Sequence, residues 1–494
     1  MLKPLYNKLV PKRDQRLMTY RNISEVTVPT LFPPDGYEEG SAVLKHPANS
    51  APARSINQLA GKLTLALFPP QGHFFVCDVD DQVRKSFVDE KASNQLSQSL
   101  LAQTNAIHDY MRNRILYHRL YETLRYILVG GNICIHVTED TQMRLLPMNS
   151  YAVKRHPDGT VMYAIIKETY YDPGDIMAEE VVETESELYT GIQSIRFSDG
   201  TRGTRVTQVL HKDGDDKGII VTQHEYVKDA CPYIFPVGTL LPSFDYGSSL
   251  CEDYIGDIRS SEGLTQNMLD FAAAASFIVF LVKPGATSVQ ALRNAHNLQF
   301  LSGNPEDVGT LQIGKLQDFQ VVANLYDTLK RGLSSGFAET SAIQRSGERV
   351  TASEIDKLSQ SLETSLGGLY SLLAASLQVP LVSIVQHQMI AKQLLPPMPA
   401  DAMSIKITGG YEALGKGHDA DRLMLFGERC ATVQQAAPYV QWDQWVAQYE
   451  QSLGLSKLSK DAGTVQEEQQ VEQANATAAD VVSKAAPGLM PSGG

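Results

Sequence analysis

A short polar stretch carries two arginines on either side of a glycine, in the order Gln344, Arg345, Ser346, Gly347, Glu348, Arg349 and Val350. Guanidinium groups donate paired hydrogen bonds to phosphate and carboxylate oxygens. The glycine lets the backbone bend sharply at that point. The stretch is therefore either a solvated turn or a tip that contacts a partner.

Long helical patterns lie on both sides of this stretch. Apolar residues recur every three to four positions before it, at Phe319, Val322, Leu325, Leu329, Leu333 and Phe337. They recur in the same way after it, at Ile355, Leu358, Leu362, Leu366, Leu369, Leu373 and Leu377. This spacing places one apolar stripe on each helix. Thr351 and Glu354 fit a capping box, so we expect the second helix to begin there.

Other candidate sites are incomplete. The stretch 410–417 approaches the phosphate loop G-x-x-x-x-G-K-[ST], but Gly417 replaces the hydroxyl residue that would bind Mg²⁺. We expect a glycine-rich bend there. The aspartates at 213, 215 and 216 lack calcium-loop spacing, so we expect a solvated hairpin tip. The histidines are dispersed, and the sequence predicts no nucleophile elbow between a strand and a helix. The sequence predicts no catalytic residue, no metal and no cofactor, which weakly favours an assembly protein over an enzyme.

Composition narrows the classes further. The 494 residues suffice for two to four domains, and 43% hydrophobic residues support a sizeable core. The net charge of −13 argues against a dedicated nucleic-acid binder, whose surface is normally basic. It remains compatible with a protein that lets nucleic acid pass without gripping it.

The cysteines and the apolar runs indicate a soluble intracellular protein. The five cysteines are far apart and form no C-x-x-C pair, so we expect free, buried thiols. The N-terminus has no signal-peptide pattern. The longest apolar run, Phe271 to Val282, is shorter than the roughly 20 residues that span a bilayer.

The first half of the chain is predicted to be α+β. We expect residues 1–50 to be irregular and helices at 53–68 and 92–129. Gly130 and Gly131 end the second helix. A strand follows at 133–137, and five short strands alternate with turns between 145 and 235.

The second half is predicted to be mainly helical. A helix with a capping box at Ser249 and Glu252 runs to about residue 276, and a return helix spans about 318–341. Gly367 and Gly368 predict a kink in the following helix, and Pro380 is expected to end it. A further helix at 382–393, a strand at 405–407 and a helix at 419–435 precede a tail rich in alanine and glutamine.

This order of elements, with several short strings, resembles the portal (head-to-tail connector) proteins of T7-like short-tailed bacteriophages. The strongest string is the arginine stretch extended to Ala352, with Leu366 to Leu372 after it. Supporting strings lie at 28–33, 57–63, 66–69, 230–233, 246–249, 254–260 and 282–285. Each string alone is common, and their number and order carry the resemblance, which covers roughly residues 5–435.

The resemblance implies an α+β portal fold that assembles as a homo-oligomeric ring. Its parts would be a wing (1–246), an outgoing stem helix (247–276), a clip (277–318), a return stem helix (319–343), a channel loop (344–350), a long helix (351–378), a crown (379–460) and a flexible acidic tail (461–494). Lys330 and Arg331 would line the stem. Thr351 and Glu354 would fix the helix after the loop.

The resemblance also implies a function and partners. The ring, usually of twelve copies, would occupy one capsid vertex of the virion and form the channel for genome packaging and ejection. Its partners would be major capsid, scaffolding and internal core proteins, the terminase large subunit, a tail adaptor and double-stranded DNA that passes without sequence specificity. Assembly would occur in the host cytoplasm, without a membrane. The alternatives are an enzyme that uses the α+β half and a non-enzymatic adaptor or scaffold that binds proteins only.

Overall fold

The computed structural model divides the chain into two units. The first comprises residues 1–74 and 106–399, and the second comprises residues 75–105 and 400–494. The structure describes residues 2–37, 43–69, 74–79, 90–114, 117–170, 186–198, 200–211, 218–227, 229–276, 279–282, 308–311, 316–337, 362, 368–396, 403–407, 423–430, 442, 445, 446 and 449. Residues 75–105 group with 400–494 rather than with the rest of the expected wing. The assignment of wing, stem, clip and crown stays a prediction.

The α-helices lie mainly in the first unit. They are α1 (Leu2–Glu25), α2 (Ala51–Leu67), α3 (Glu90–Arg114), α4 (Tyr117–Gly130), α5 (Leu250–Asp253), α6 (Ile255–Ser276), α7 (Leu316–Gly336), α8 (Leu369–Leu373) and α9 (Val379–Ala391). The helix expected at 92–129 is helical over α3 and α4, and residues 115 and 116 between them lie outside the described residues. The helix expected at 249–276 is interrupted at Tyr254, between α5 and α6.

The strands form four antiparallel sheets. They are β1 (Phe75–Val79), β2 (Cys134–Val137), β3 (Met143–Leu146), β4 (Tyr151–Arg155), β5 (Val161–Tyr170), β6 (Ser186–Arg196), β7 (Arg202–His211), β8 (Ile219–Val227), β9 (Tyr233–Ile234), β10 (Val279–Val282), β11 (Val308–Leu311) and β12 (Met403–Ile407). The largest sheet has the order β4-β5-β6-β7-β8, and the others are β3-β2-β9, β10-β11 and β1-β12. The predicted strands between residues 145 and 227 are confirmed, and most are longer than expected.

Helix α1 contradicts the expectation that residues 1–50 are irregular. Its buried positions do recur at helical spacing, but one of them is Arg13 and Pro11 lies inside the helix. The Arg13 guanidinium is buried because it donates to the Tyr6 hydroxyl (2.7 Å) and to the Asn149 carbonyl (2.6 Å). Because a charged residue interrupts the apolar stripe and a proline lies inside the helix, hydrophobic periodicity does not predict this helix.

Helix α1 packs on the large sheet. Tyr6 and Leu9 join Ala152, Ile165 and Tyr189 in one buried cluster, with the Tyr6 and Tyr189 rings edge to face at 5.6 Å. Opposite Leu2 lies Gly191, where a Cβ atom would come within 2.7 Å of the Leu2 Cδ2 atom. Glycine at this position of β6 therefore permits the close approach of α1 to the sheet.

A buried polar cluster joins α1, the end of α4 and the segment before α5. The Asn132 amide nitrogen donates to the carbonyls of Gly130 and Gly247, both at 2.9 Å. The Gly247 N–H donates back to the Asn132 side-chain oxygen at 2.9 Å. The Tyr20 hydroxyl donates to the Gly247 carbonyl as well. Gly131, with φ of 63°, ends α4 as predicted and lies against the Ser248 backbone, where a Cβ atom would be 2.7 Å away.

The helical segment from residue 369 to 391 differs from the prediction at its proline. Gly368, with φ of 90°, lies directly before α8 and is not helical, so the helical conformation is interrupted at one of the two glycines. Residues Ala374–Gln378 form a π-helical turn, and α9 follows without interruption. Pro380 is the second residue of α9 and directly follows the π-helical turn, so it lies inside a continuous helical segment. It therefore does not end the helix, and the helix crosses the expected boundary at 378/379.

This segment has the length and mean hydropathy of a membrane span. Leu369–Ala391 reaches a mean hydropathy of 1.5, and 61% of that window is buried within the protein. The Tyr370 hydroxyl donates to the Ala66 carbonyl (3.0 Å), and the Gln378 amide donates to the Leu67 carbonyl. These contacts identify it as a core helix that also satisfies the C-terminal carbonyls of α2.

In the second unit, β1 and β12 pair with Phe75 opposite Ile407. Residues 423–430 are helical, within the helix expected at 419–435. The Trp445 indole N–H donates to the Leu423 carbonyl at 2.8 Å, and its ring stacks on Tyr449.

All five cysteines of the chain are free; Cys77, Cys134 and Cys251 are buried, and Cys231 and Cys430 are partly exposed.

The pKa of His136 predicts an acid-sensitive step in stability. Burial, and secondarily the charge of Arg144, lower this pKa to about 4, while the imidazole stacks on Tyr233 at 4.4 Å. The unfolded chain binds the proton near pH 6.5 and the folded chain only near 4, so stability falls as pH drops through that window, by at most about 3 kcal/mol. His136→Phe keeps the stacking and is expected to flatten this dependence in urea unfolding between pH 7 and 5.

The matched control is His224→Phe, since His224 is exposed on β8. It should leave the pH dependence of the wild-type protein unchanged. Equal flattening by both substitutions, or by neither, would show that His136 does not cause the acid sensitivity.

Candidate functional site

The structure places only part of the predicted site. Residues 344–350, Thr351 and Glu354 lie outside the described residues, as do the glycine-rich stretch 410–417 and the aspartates 213–216. Lys330 and Arg331 lie in the last two turns of α7, and both side chains are exposed. Among the described residues, neither forms an ion pair. The two cations are therefore available to a partner.

Helices α6 and α7 pack against each other and form what we call the stem hairpin. At its base, the rings of Tyr254 and Phe337 lie 5.6 Å apart, and Phe337, Leu333 and Ile258 are buried. A Cβ atom on Gly336 would lie 2.5 Å from the Tyr254 ring, so glycine allows the two helices to meet here. The hairpin therefore has a tightly packed base where it joins the rest of the first unit.

A buried asparagine anchors the stem hairpin to the segment before α2. The Glu262 carboxylate on α6 accepts from the backbone N–H groups of Ala48 and Asn49, both at 2.8 Å. The Asn49 amide nitrogen donates to the Ser261 hydroxyl at 3.0 Å, and the Tyr326 hydroxyl of α7 donates to the Asn49 side-chain oxygen at 3.3 Å. One side chain thus bonds to both stem helices.

Asn49 also orders the start of α2, because its side-chain oxygen accepts from the Ala51 N–H at 3.0 Å. Hydrophobic patterning did not reveal this anchor. The available signal was an asparagine that follows a proline and precedes a helix, which is typical of a cap or turn. Its bonds to residues more than 200 positions away follow only from the fold.

At the start of α5, one of the two hydrogen bonds of the expected capping box forms. The Ser249 hydroxyl accepts from the Glu252 N–H at 3.1 Å, as predicted. The Glu252 carboxylate does not accept a hydrogen bond from the start of the helix. It pairs instead with the Arg16 guanidinium through two contacts of 3.0 Å. Arg16 also bonds to the Tyr20 hydroxyl, whose pKa is raised to about 12 by burial. Glu252 therefore ties the stem to α1, since a bidentate arginine pair is stronger than a single cap bond.

The surface of the stem hairpin combines negative charge with exposed apolar side chains. Helix α6 carries three carboxylates against one arginine. Leu269 on α6 is 54% exposed, and Val321 and Leu325 on α7 are 68% and 50% exposed. Scattered apolar residues are normal on a surface, but Val321 and Leu325 lie one turn apart on the same face of α7 and indicate a contact surface. We call Leu269, Val321 and Leu325 the apolar stem surface.

Comparison with known proteins identifies the family. Residues 1–457 match the family described as bacteriophage head to tail connecting protein. The portal protein of Escherichia phage T7 is 31% identical over 450 residues, which are 87% of this chain and 81% of the relative. The portal protein of Enterobacteria phage T3 is 30% identical over 456 residues, 89% and 83% of the two chains. That of Enterobacteria phage SP6 is 26% identical over 513 residues, 98% and 95% of the two chains.

Comparison with solved structures also found the neck of an empty gene transfer agent particle, at a TM-score of 0.40 and 12% identity, covering 78% of this chain and 87% of that one. The virion of the native particle gives a TM-score of 0.38 at 11% identity, with the same coverage. The family match over residues 1–457 and the two relatives at 30% identity or above therefore show that this chain belongs to the bacteriophage head-to-tail connecting proteins, the family of the phage portal proteins.

Proposed function

We propose that this portal protein assembles with copies of itself into a closed ring of twelve and forms the channel through which the phage genome enters and leaves the capsid. The apolar stem surface carries the proposal of assembly. Leu269, Val321 and Leu325 would each gain from burial, at roughly 25 cal/mol per Å² of apolar area removed from water. A neighbouring copy of the same hairpin would cover them.

The charges support a channel that does not bind DNA tightly. The chain has a net charge of −13, and α6 is acidic. A basic channel would bind DNA through many phosphate contacts, whereas an acidic channel binds it weakly and lets it pass. In this proposal Lys330 and Arg331 lie along the channel wall, and Arg345 and Arg349 make brief phosphate contacts from the loop 344–350.

The partners follow from a position at a capsid vertex. The ring would contact the major capsid and scaffolding proteins, receive the terminase large subunit during packaging, and then bind a tail adaptor through residues 277–318. Internal core proteins would meet residues beyond 379. The protein would assemble in the bacterial cytoplasm and remain in the virion. We propose a structural role without catalysis, because ATP hydrolysis would belong to the terminase.

Leu325→Asp is expected to shift the assembled protein to smaller species. A carboxylate in a buried subunit contact costs several kcal/mol, while Leu325 is half exposed in a single copy, so the subunit should still fold. Size-exclusion chromatography with light scattering measures the assembly, and thermal unfolding of the smallest species measures the fold.

Met18→Asp is the matched control, since Met18 is 66% exposed on α1, outside the stem hairpin. It should assemble as the wild-type protein does. Normal assembly of Leu325→Asp would refute the apolar stem surface as the contact between copies.

A further inference from the structure

An open cavity of about 90 Å³ lies between the first turns of α2 and the last turns of α7. This volume has room for about three water molecules, at roughly 30 Å³ each. Its floor is Leu333, which is buried, and its polar lining residues are Arg54, Ser55, Gln58, Lys330 and Ser334. The cavity is therefore a small recess that is lined by both apolar and polar groups.

Two cations from different helices line this recess. Arg54 lies on α2 and Lys330 on α7, and both side chains are exposed. Among the described residues, neither forms an ion pair, and Arg54 makes only a long contact of 3.4 Å to the Ser50 hydroxyl. Two like charges that converge on one recess repel each other unless an anion lies between them.

The carboxylates near these helices do not lie in the recess. Helix α2 contains no acidic residue, so its side-chain charges are those of Arg54 and Lys62. Glu262 accepts from the N–H groups of Ala48 and Asn49 and is absent from the lining. Asp327, one turn before Lys330, is also outside the lining. Among the described residues, the charged side chains that line the recess are therefore both positive.

We propose that this recess binds a phosphate group, with Arg54 and Lys330 as the charged ligands and Gln58 and Ser334 as neutral hydrogen-bond donors. Phosphate presents several oxygens in different directions, so it can accept from both helices at once. A carboxylate has only two oxygens in one plane and matches a single arginine better. The site lies within one chain, so it depends neither on the ring nor on the loop 344–350.

A phosphate in the DNA backbone and free inorganic phosphate share this chemistry, and binding measurements separate them. The variant is Arg54→Gln with Lys330→Gln, which keeps the aliphatic part of each side chain over Leu333. The control, Lys8→Gln with Arg112→Gln, removes the same charge from two exposed positions elsewhere in the first unit. Each full-length protein is titrated with a fluorescent DNA duplex at several salt concentrations, and separately with inorganic phosphate at constant ionic strength.

For DNA, we expect the slope of log K against log salt to fall by about 1 in the recess variant relative to the control, since the contact to one phosphate is lost. Weaker binding of inorganic phosphate with unchanged DNA binding would support the site and assign it to free phosphate. Equal behaviour of both variants toward both ligands would overturn the proposal. So would a loss of assembly in the recess variant with unchanged phosphate binding, which would identify a carboxylate of a neighbouring copy as the partner.

Discussion

Asn132→Ala is expected to lower the free energy of unfolding by about 3 kcal/mol or more. The substitution removes the amide that donates to the Gly130 and Gly247 carbonyls and the oxygen that accepts from the Gly247 N–H. Asn132 is 2% exposed, so water cannot replace these bonds without opening the structure. An unsatisfied buried polar group costs about 1–3 kcal/mol, and this change leaves more than one.

Urea unfolding followed by circular dichroism measures this effect, and Asn113→Ala is the control. Asn113 is exposed on α3, and its loss should change stability by about 0.5 kcal/mol or less. If both substitutions have the same small effect, the cluster of Tyr20, Asn132 and Gly247 does not hold α1 and the start of the stem together.

Arg345→Ala with Arg349→Ala is expected to leave the ring intact and to reduce DNA packaging by about tenfold or more, because each subunit loses two phosphate contacts. The measurements are electron microscopy of the purified protein and the amount of nuclease-resistant DNA in capsids assembled with the variant. Defective assembly together with normal packaging by the remaining rings would make the loop structural.

A second pair of substitutions, Arg345→Lys with Arg349→Lys, separates the two possible partners of the arginines. Lysine keeps the charge but loses the planar pair of donors. If the arginines contact phosphate, packaging should remain close to that of the wild-type protein. If they form bidentate bonds to carboxylates of a neighbouring subunit, the lysine variant should instead weaken the ring.

The strands of the large sheet and the stem hairpin could be predicted because their signals are local. Strands β5 to β7 are rich in β-branched and aromatic residues. Near the end of α7 the predicted apolar stripe buries Leu333 and Phe337, whereas Leu325 in the same stripe is half exposed. The cap at Ser249 and the end of α4 at Gly131 follow from residue types with one strong backbone preference. In each case a few neighbouring residues determine the outcome.

The parts that the sequence did not reveal depend on distant residues. Helix α1 was missed because the burial of Arg13 depends on bonds that include Tyr6 and the distant Asn149 carbonyl. The anchor at Asn49 and the pairing of Glu252 with Arg16 join segments more than 200 positions apart. The recess between α2 and α7 needs both helices in place before Arg54 and Lys330 converge.

Electron microscopy of the purified full-length protein, with light scattering on the same sample, tests most directly whether copies of this chain form a channel. We predict a closed ring of twelve subunits with a central opening and a mass close to twelve times 54.3 kDa. A protein that stays monomeric at every concentration, or that forms open filaments without a central channel, would contradict the proposed function.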